Sequence, residues 1–338
     1  MTDLFQLDTN KLSDYLSANI DGFSGPLSAE KFSGGQSNPT YLLKTPNNDY
    51  VLRRKPPGKL LPGAHAVDRE FKVLSALYPT ALPVAKALHL CDDDSIIGSM
   101  FYVMEFMPGR VLWDPSLPDS NKNQRTAIYD EMNRVLSELH KVDVDQVGLS
   151  DFGKKGDYFA RQTHTWTKQY RAAETQNIAA MEALIEWLPS NLPVDDGRYS
   201  ITHGDFRLDN LMFHAERDEV IAVLDWELST IGHPFADLAY QCMQYYMPRA
   251  YGLPGLAGCD LEELGIPSEQ QYVDMYCQRM NIDEIPNWNF YLAFSMFRLA
   301  SICQGVVKRG QMGNASSDKA STYKDLIEPL AKIATDLT

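Results

Sequence analysis

The sequence has no cysteine pair of the C-x-x-C kind. Its five cysteines, Cys91, Cys242, Cys259, Cys277 and Cys303, are odd in number and widely scattered. That pattern argues against a disulfide scaffold or a structural zinc site and predicts reduced thiols in a cytoplasm. Positive charge is also scarce: 31 Lys and Arg stand against 45 Asp and Glu, a formal net charge of −14. Nucleic-acid backbones call for a basic stripe, so DNA and RNA are poor partners. The acidity serves solubility first, and recruitment of a cationic substrate only second. No apolar run approaches the roughly 18 residues of a membrane span. Met1-Thr2-Asp3-Leu4-Phe5-Gln6 has neither the basic start nor the apolar core of a secretory signal. A cytoplasmic protein without a membrane partner is the expectation. Internal repeats, low-complexity stretches, a G-x-G-x-x-G and a Walker loop are all missing.

What is present begins with composition. With 338 residues, 44% hydrophobic and 22% charged, the chain is long enough for two lobes with separate cores. Its chemistry concentrates in Ile201-Thr202-His203-Gly204-Asp205-Phe206-Arg207-Leu208-Asp209-Asn210, followed by Leu224-Asp225-Trp226-Glu227. Residues 211–214 and 220–224 are short β-prone runs around the polar turn 215–219, and they predict a hairpin. With the turn centred near 217 or 218, facing positions sum to about 435, which puts Asn210 opposite Asp225 with Cβ atoms roughly 5 Å apart. One carboxylate and one amide oxygen, with phosphate and water completing the shell, suit a Mg²⁺ ion beside a nucleotide. Asp205, on the tight loop entering the hairpin, points to the same place and is left to accept a hydroxyl proton.

Protein-kinase-like catalytic loops read H-x-D with an Asn further on, and their second metal ligand is the Asp of a D-x-G after the next hairpin. His203, Asp205, Asn210 and Asp225 follow that order, although Trp226-Glu227 replaces the usual Phe-Gly. With the H-G-D-x-x-x-x-N wording and Gly232-His233-Pro234-Phe235-Ala236-Asp237-Leu238-Ala239, the sequence resembles the aminoglycoside phosphotransferase family. It resembles in particular the kinase-like domains fused to acyl-CoA dehydrogenases, over about residues 30 to 310. The resemblance implies an α+β, protein-kinase-like two-lobed fold. An N-terminal antiparallel β-sheet lobe with one main helix (1–106) would bind nucleotide, and a larger, mostly helical C-terminal lobe (107–338) would hold the catalytic and substrate-binding groups. His203 is expected to support the loop rather than handle protons, and Asp237 to brace it.

In that frame, Ser33-Gly34-Gly35-Gln36-Ser37-Asn38 is a turn between strands where a nucleotide-covering loop belongs. Gly34 and Gly35 would let backbone N–H groups approach phosphate, and Ser37 would add a side-chain donor. On the strand Asp49 to Arg54, Val51 and Arg53 share a face. Val51 would then roof the adenine and Arg53 would take the place of the phosphate-pairing lysine, as a planar fork rather than a point charge. By resemblance, Glu70 on the helix 64–77 pairs with Arg53. Backbone groups of Glu105 to Met107, at the hinge between lobes, would read the adenine edge. Residues 120–141 and 158–188 read as amphipathic helices, with Arg161 and Trp166 as candidate substrate contacts. Glu227 would either join the metal shell or cap the next segment.

These residues predict an ATP- and Mg²⁺-dependent kinase acting on a hydroxyl of a small molecule: an amino sugar, a choline-like alcohol or a hydroxyacyl compound. The rivals are a catalytically weak kinase-like module that binds nucleotide, and a metal-dependent hydrolase, which would need more His or carboxylate ligands than this cluster supplies.

Overall fold

Alternating strands near the N-terminus need a partner for each face of the sheet they form, and a computed structural model shows how they find one. It describes residues 6–32, 38–56, 65–249, 254–312 and 317–338. Gly34, Gly35 and Ser37 lie outside the described residues. Helix α1 (Thr9–Asn19) is capped by the Asp8 carboxylate, which accepts from the Lys11 N–H. Strands β1 (Ser28–Lys31), β2 (Thr40–Lys44) and β3 (Asp49–Arg54) follow, then α2 (Val67–Leu77), β4 (Ala87–Cys91), the short α3 (Asp94–Ile97) and β5 (Phe101–Glu105). The five strands make one antiparallel sheet in the order β1-β2-β3-β5-β4.

Side-chain alternation divides this sheet into two faces. Tyr41, Leu43, Tyr50, Leu52, Phe101 and Val103 pack with Leu12 and Leu16 of α1 in a core of their own. The opposite face carries Tyr102, which joins the main core together with Val67, Val73, Leu74 and Leu77 of α2. Arg53 is in register with Tyr102, so the two stand as cross-strand neighbours on the α2 side.

Beyond Glu105 the chain leaves the sheet. Strand β6 (Gly109–Val111) pairs with β8 (Leu211–His214), which pairs in turn with β9 (Val220–Val223). Between them run α4 (Lys122–Lys141), α5 (Tyr158–Ala173), α6 (Ala179–Ser190) and β7 (Ser200–Thr202). A reciprocal capping box of Asn121 and Gln124 starts α4, whose Ile128, Met132, Val135, Leu136 and Leu139 are fully buried. The helical region expected over 158–188 is two helices, interrupted at 174–178. After β9 come β10 (Thr230–Gly232), paired with β7, then α7 (Phe235–Cys242), α8 (Leu261–Leu264), α9 (Glu269–Met280), α10 (Trp288–Gln311) and α11 (Ser317–Asp336).

Helix α10 is long and apolar enough to cross a membrane, which single apolar runs in the sequence do not suggest. Yet 83% of its most apolar window is buried inside the fold, the setting of a core helix. Helix α2 also ties the two lobes together. Arg69 Nη2 donates to the Phe152 carbonyl at 2.7 Å, and Lys72 Nζ lies 2.6 Å from Asp151 Oδ1.

Candidate active site

Two hydrogen-bonded strand ends present the site. Strand β7 delivers His203, Gly204 and Asp205, and the β8–β9 hairpin delivers Asn210 at its start and Asp225 at its end. The observed register pairs Leu211 with Val223, and Leu224 N–H donates to the Asn210 carbonyl at 2.8 Å. Asn210 therefore faces Leu224, and not Asp225 as expected. The turn closes earlier than expected, with Phe213 opposite Val220 and His214 N–H donating to the Glu219 carbonyl, and a bulge that leaves Ile221 unpaired on β9 recovers one position of that shift. Asp225 is the next residue and takes a left-handed backbone, φ 61°, at the turn out of the hairpin. Such backbone at a non-glycine costs on the order of 1–3 kcal/mol and collects at working sites.

The loop before Asn210 is held from below. Asp237, fully buried at the start of α7, accepts the backbone N–H groups of His203 (2.6 Å) and Gly204 (2.8 Å), with His140 Nε2 3.4 Å away. Burial alone would raise its pKa. The hydrogen bond and charge of His140, the His203 ring and the Gly204 N–H outweigh it and hold the carboxyl below its ordinary value. His203 Nδ1 accepts from Asp205 N–H at 3.1 Å and its Nε2 donates to the Leu224 carbonyl at 2.7 Å. A backbone N–H only donates and a carbonyl only accepts, so the ring carries its proton on Nε2 and ties the loop to the hairpin. Its face meets Trp226 at 4.8 Å between centroids. Trp226, where the kinase pattern has Phe, thus packs on the catalytic-loop histidine.

Gly204 is required by its surroundings. Its φ is +83°, and a Cβ there would lie 2.7 Å from the Leu228 carbonyl oxygen. Gly204→Ala is expected to destabilise the fold by about 1–3 kcal/mol, read as a lower denaturant midpoint at unchanged slope.

Asp205 is fixed from several sides. Asn210 Nδ2 donates to its backbone carbonyl (2.8 Å) and to Oδ2 (3.0 Å), and Arg207 Nε lies 3.1 Å from Oδ1. Tyr240 is near enough for the Asp205 charge, after burial, to push its hydroxyl pKa up. Arg207 is shared with Asp209 at 2.9 Å. Burial raises the Asp209 pKa, opposed by Arg207. Arg207 and Tyr240 are functional neighbours that the sequence does not single out, since an Arg two residues past H-G-D and a Tyr on an apolar helix have no distinguishing spacing.

Across the cleft, Arg53 is 2.9 Å (Nε) from Glu70 Oε2, 2.6 Å (Nη2) from Asp225 Oδ1 and 3.7 Å from Glu227 Oε2. Burial acts to lower its pKa, but Glu70 and Asp225 outweigh it and keep it firmly charged. Glu70 is 1% exposed, not a surface carboxylate, and accepts from Asn38 Nδ2 (2.8 Å) and the Tyr102 hydroxyl (3.0 Å). Burial raises its pKa, against the pull of Arg53. Tyr102 is another partner the sequence does not reveal, because a strand aromatic is ordinary core material until the cross-strand register is known.

The remaining candidates are placed as follows. Val51 is buried beside Met104 in register. Glu105 Oε1 accepts from Lys86 N–H, and Met107 is half-buried just beyond β5. Arg161 Nη2 donates to the Lys154 carbonyl at 2.7 Å. Trp166 donates to Gln162 and lies under Arg298. Asn210 Oδ1 and Asp225 Oδ2 accept no hydrogen bond among the described residues, which leaves two hard oxygen donors for a cation. No group of three or more His, Cys, Asp or Glu suited to a metal occurs among the described residues.

A model of the phosphotransferase enzyme family matches residues 28–257. The chain belongs to that family. Among this phosphotransferase's relatives, mouse acyl-CoA dehydrogenase family member 10 is 52% identical over 96% of the chain and 30% of the relative. Human acyl-CoA dehydrogenase family member 11 is 44% identical over 98% of the chain and 43% of the relative. The chain thus spans less than half the length of these curated relatives. A Ralstonia eutropha protein provisionally assigned as an aminoglycoside phosphotransferase is 49% identical with TM-score 0.90, each chain covered to 98%. The spectinomycin phosphotransferase APH(9)-Ia, solved with ADP and spectinomycin, shares the fold at TM-score 0.65 and 13% identity, each chain again covered to 98%.

Proposed function

We propose that this phosphotransferase moves the γ-phosphoryl group of ATP, with Mg²⁺, to a hydroxyl of a small molecule: an amino sugar, a choline-like alcohol or a hydroxyacyl compound. The observation that supports it most is the bond from Asn210 Nδ2 to Asp205 at 3.0 Å, with the free oxygens of Asn210 and Asp225 carried at the two ends of the β8–β9 hairpin. Asn210 and Asp225 are the residues to hold the ion. Bound there, it neutralises charge on the phosphate oxygens and orients them. Arg53, kept in place by Glu70, steadies the same phosphates from the sheet. Asp205 aligns the acceptor hydroxyl and takes its proton as the acceptor oxygen bonds to phosphorus and the bond to the β-phosphate breaks, releasing ADP. His203 and Asp237 fix the loop and handle no protons in the transfer.

The test is purified protein with Mg-ATP screened against amino sugars, choline-like alcohols and hydroxyacyl thioesters, scoring phosphorylated acceptor by mass. Transfer to at least one class is expected. ADP formation without any phosphorylated acceptor would contradict the reading.

One observation favours the alternative of a nucleotide-binding module with weak chemistry. An arginine stands where the family resemblance puts lysine, and its Nη2 lies directly on Asp225. Arg53→Ala separates the two readings. If Arg53 holds phosphate, nucleotide binding weakens by roughly 10- to 100-fold, as for loss of a charge-assisted hydrogen bond. Tighter binding in Arg53→Ala would mean that the arginine only blocks Asp225.

A further inference from the structure

Arg298, in the middle of α10, is 5% exposed. No ion pair or hydrogen bond engages its guanidinium among the described residues, and its Nε is buried without a partner. Its contacts are aromatic: the guanidinium carbon lies 5.3 Å from the ring centre of Trp166 on α5 and 5.2 Å from that of Tyr240 on α7. Arg53 and Arg207, by contrast, are each paired with carboxylates. Burying a cation without a counter-anion is costly, and aromatic faces offset only part of that cost.

Position gives that cost a purpose. Tyr240, whose ring faces Arg298, is also within electrostatic reach of Asp205. The unpaired guanidinium is thus one aromatic ring away from the carboxylate assigned to the acceptor hydroxyl. One turn before Trp166, Thr163 also buries its Oγ1 with no partner. Two polar groups on the packed helices α5 and α10 therefore stay unsatisfied, in a protein whose formal charge is −14.

We propose that Arg298 is an acceptor-binding residue that takes an anionic group, a carboxylate or a phosphate, and so selects acidic hydroxy compounds over amino sugars and choline-like alcohols. The inference rests on the phosphotransferase reading of the same cleft. The planar fork of Arg298 holds two anion oxygens, while the hydroxyl of the same molecule reaches Asp205.

The test is calorimetric binding to full-length protein saturated with Mg-ADP, so that no turnover is needed. The probes are 3-hydroxybutyrate against 3-hydroxybutyramide, glycerol 3-phosphate against glycerol, and choline. At least one anion should bind about 10-fold or more tightly than its neutral counterpart, the range of a charged hydrogen bond, and the two pairs distinguish carboxylate from phosphate. Arg298→Met should erase that preference while melting at or above the wild-type temperature, because an unpaired buried charge has been removed. Arg298→Lys should keep part of the preference. Equal binding of both members of both pairs, retention of the preference in Arg298→Met, or a melting temperature well below wild type in that variant would overturn the proposal. Transfer is scored separately. Arg298-dependent anion binding without phosphorylation of any acceptor contradicts the phosphotransferase reading alone, whereas phosphorylation of choline or amino sugars with no anion binding contradicts the Arg298 proposal alone.

Discussion

Asp205→Asn is expected to lower phosphotransfer by about 10²- to 10⁴-fold, the usual contribution of a positioned proton acceptor, while leaving nucleotide affinity within a few-fold of wild type. The amide keeps the shape of the side chain, its one oxygen can keep either the Asn210 or the Arg207 contact, and Asn210 still holds the backbone carbonyl, so the loop should survive. What is lost is the second acceptor oxygen and the negative charge that takes the hydroxyl proton. The effect should fall on kcat, because nothing in the geometry routes nucleotide binding through Asp205. Rapid-quench phosphotransfer together with calorimetric ADP titration reads both halves. Full activity in Asp205→Asn would remove the residue from the chemistry. Loss of nucleotide binding would make it a structural strut.

The second large effect belongs to Asp237. Its carboxylate has no exposure and satisfies two consecutive backbone N–H groups, at 2.6 and 2.8 Å. Asp237→Ala leaves both N–H groups buried and unpaired beside His140. Breaking a buried charged arrangement of this kind costs on the order of 3–5 kcal/mol, and activity should fall with it, since those N–H groups set the path of the chain into Asp205. The same residue gives a pH dependence. Its carboxyl is held below the ordinary value, so its contribution to stability is fully present above the unfolded-state pKa of about 3.9 and is lost as pH falls through the lower folded value. Wild type should therefore lose stability on acidification below about pH 4, and Asp237→Ala should show a shallower acid limb. Denaturant midpoints measured from pH 3 to 7 check this. Equal slopes in the two proteins would assign acid sensitivity to other carboxylates.

Asp237 also shows what the sequence makes legible. A single carboxylate among Phe235, Ala236, Leu238 and Ala239 has to be hydrogen bonded, and the order of His203, Asp205, Asn210 and Asp225 suffices to name the fold and nominate a candidate site. The one-residue register difference at Asn210 arises because the turn closes early, at His214 and Glu219, and the bulge at Ile221 recovers only one position; no hydrophobic pattern encodes either. Tyr102, Arg207 and Tyr240 were hidden for a different reason. Tyr102 and Tyr240 meet the site across β3 and β5 or across the catalytic loop and α7, which spacing along one segment does not reveal, while Arg207 pairs locally with Asp205 and Asp209 at a spacing that has no distinguishing pattern.

The most direct test of the account is calorimetric titration of the full chain with ATP, in Mg²⁺ and in chelator, for wild type and Asp225→Ala. If Asn210 and Asp225 hold a cation against the phosphates, wild type binds saturably and more tightly with Mg²⁺, and Asp225→Ala loses that increment. It should fall by at least the ~10- to 100-fold that follows loss of even an outer partner of a metal site. Binding that is indifferent to Mg²⁺, or an Asp225→Ala variant with the wild-type magnesium response, would contradict it.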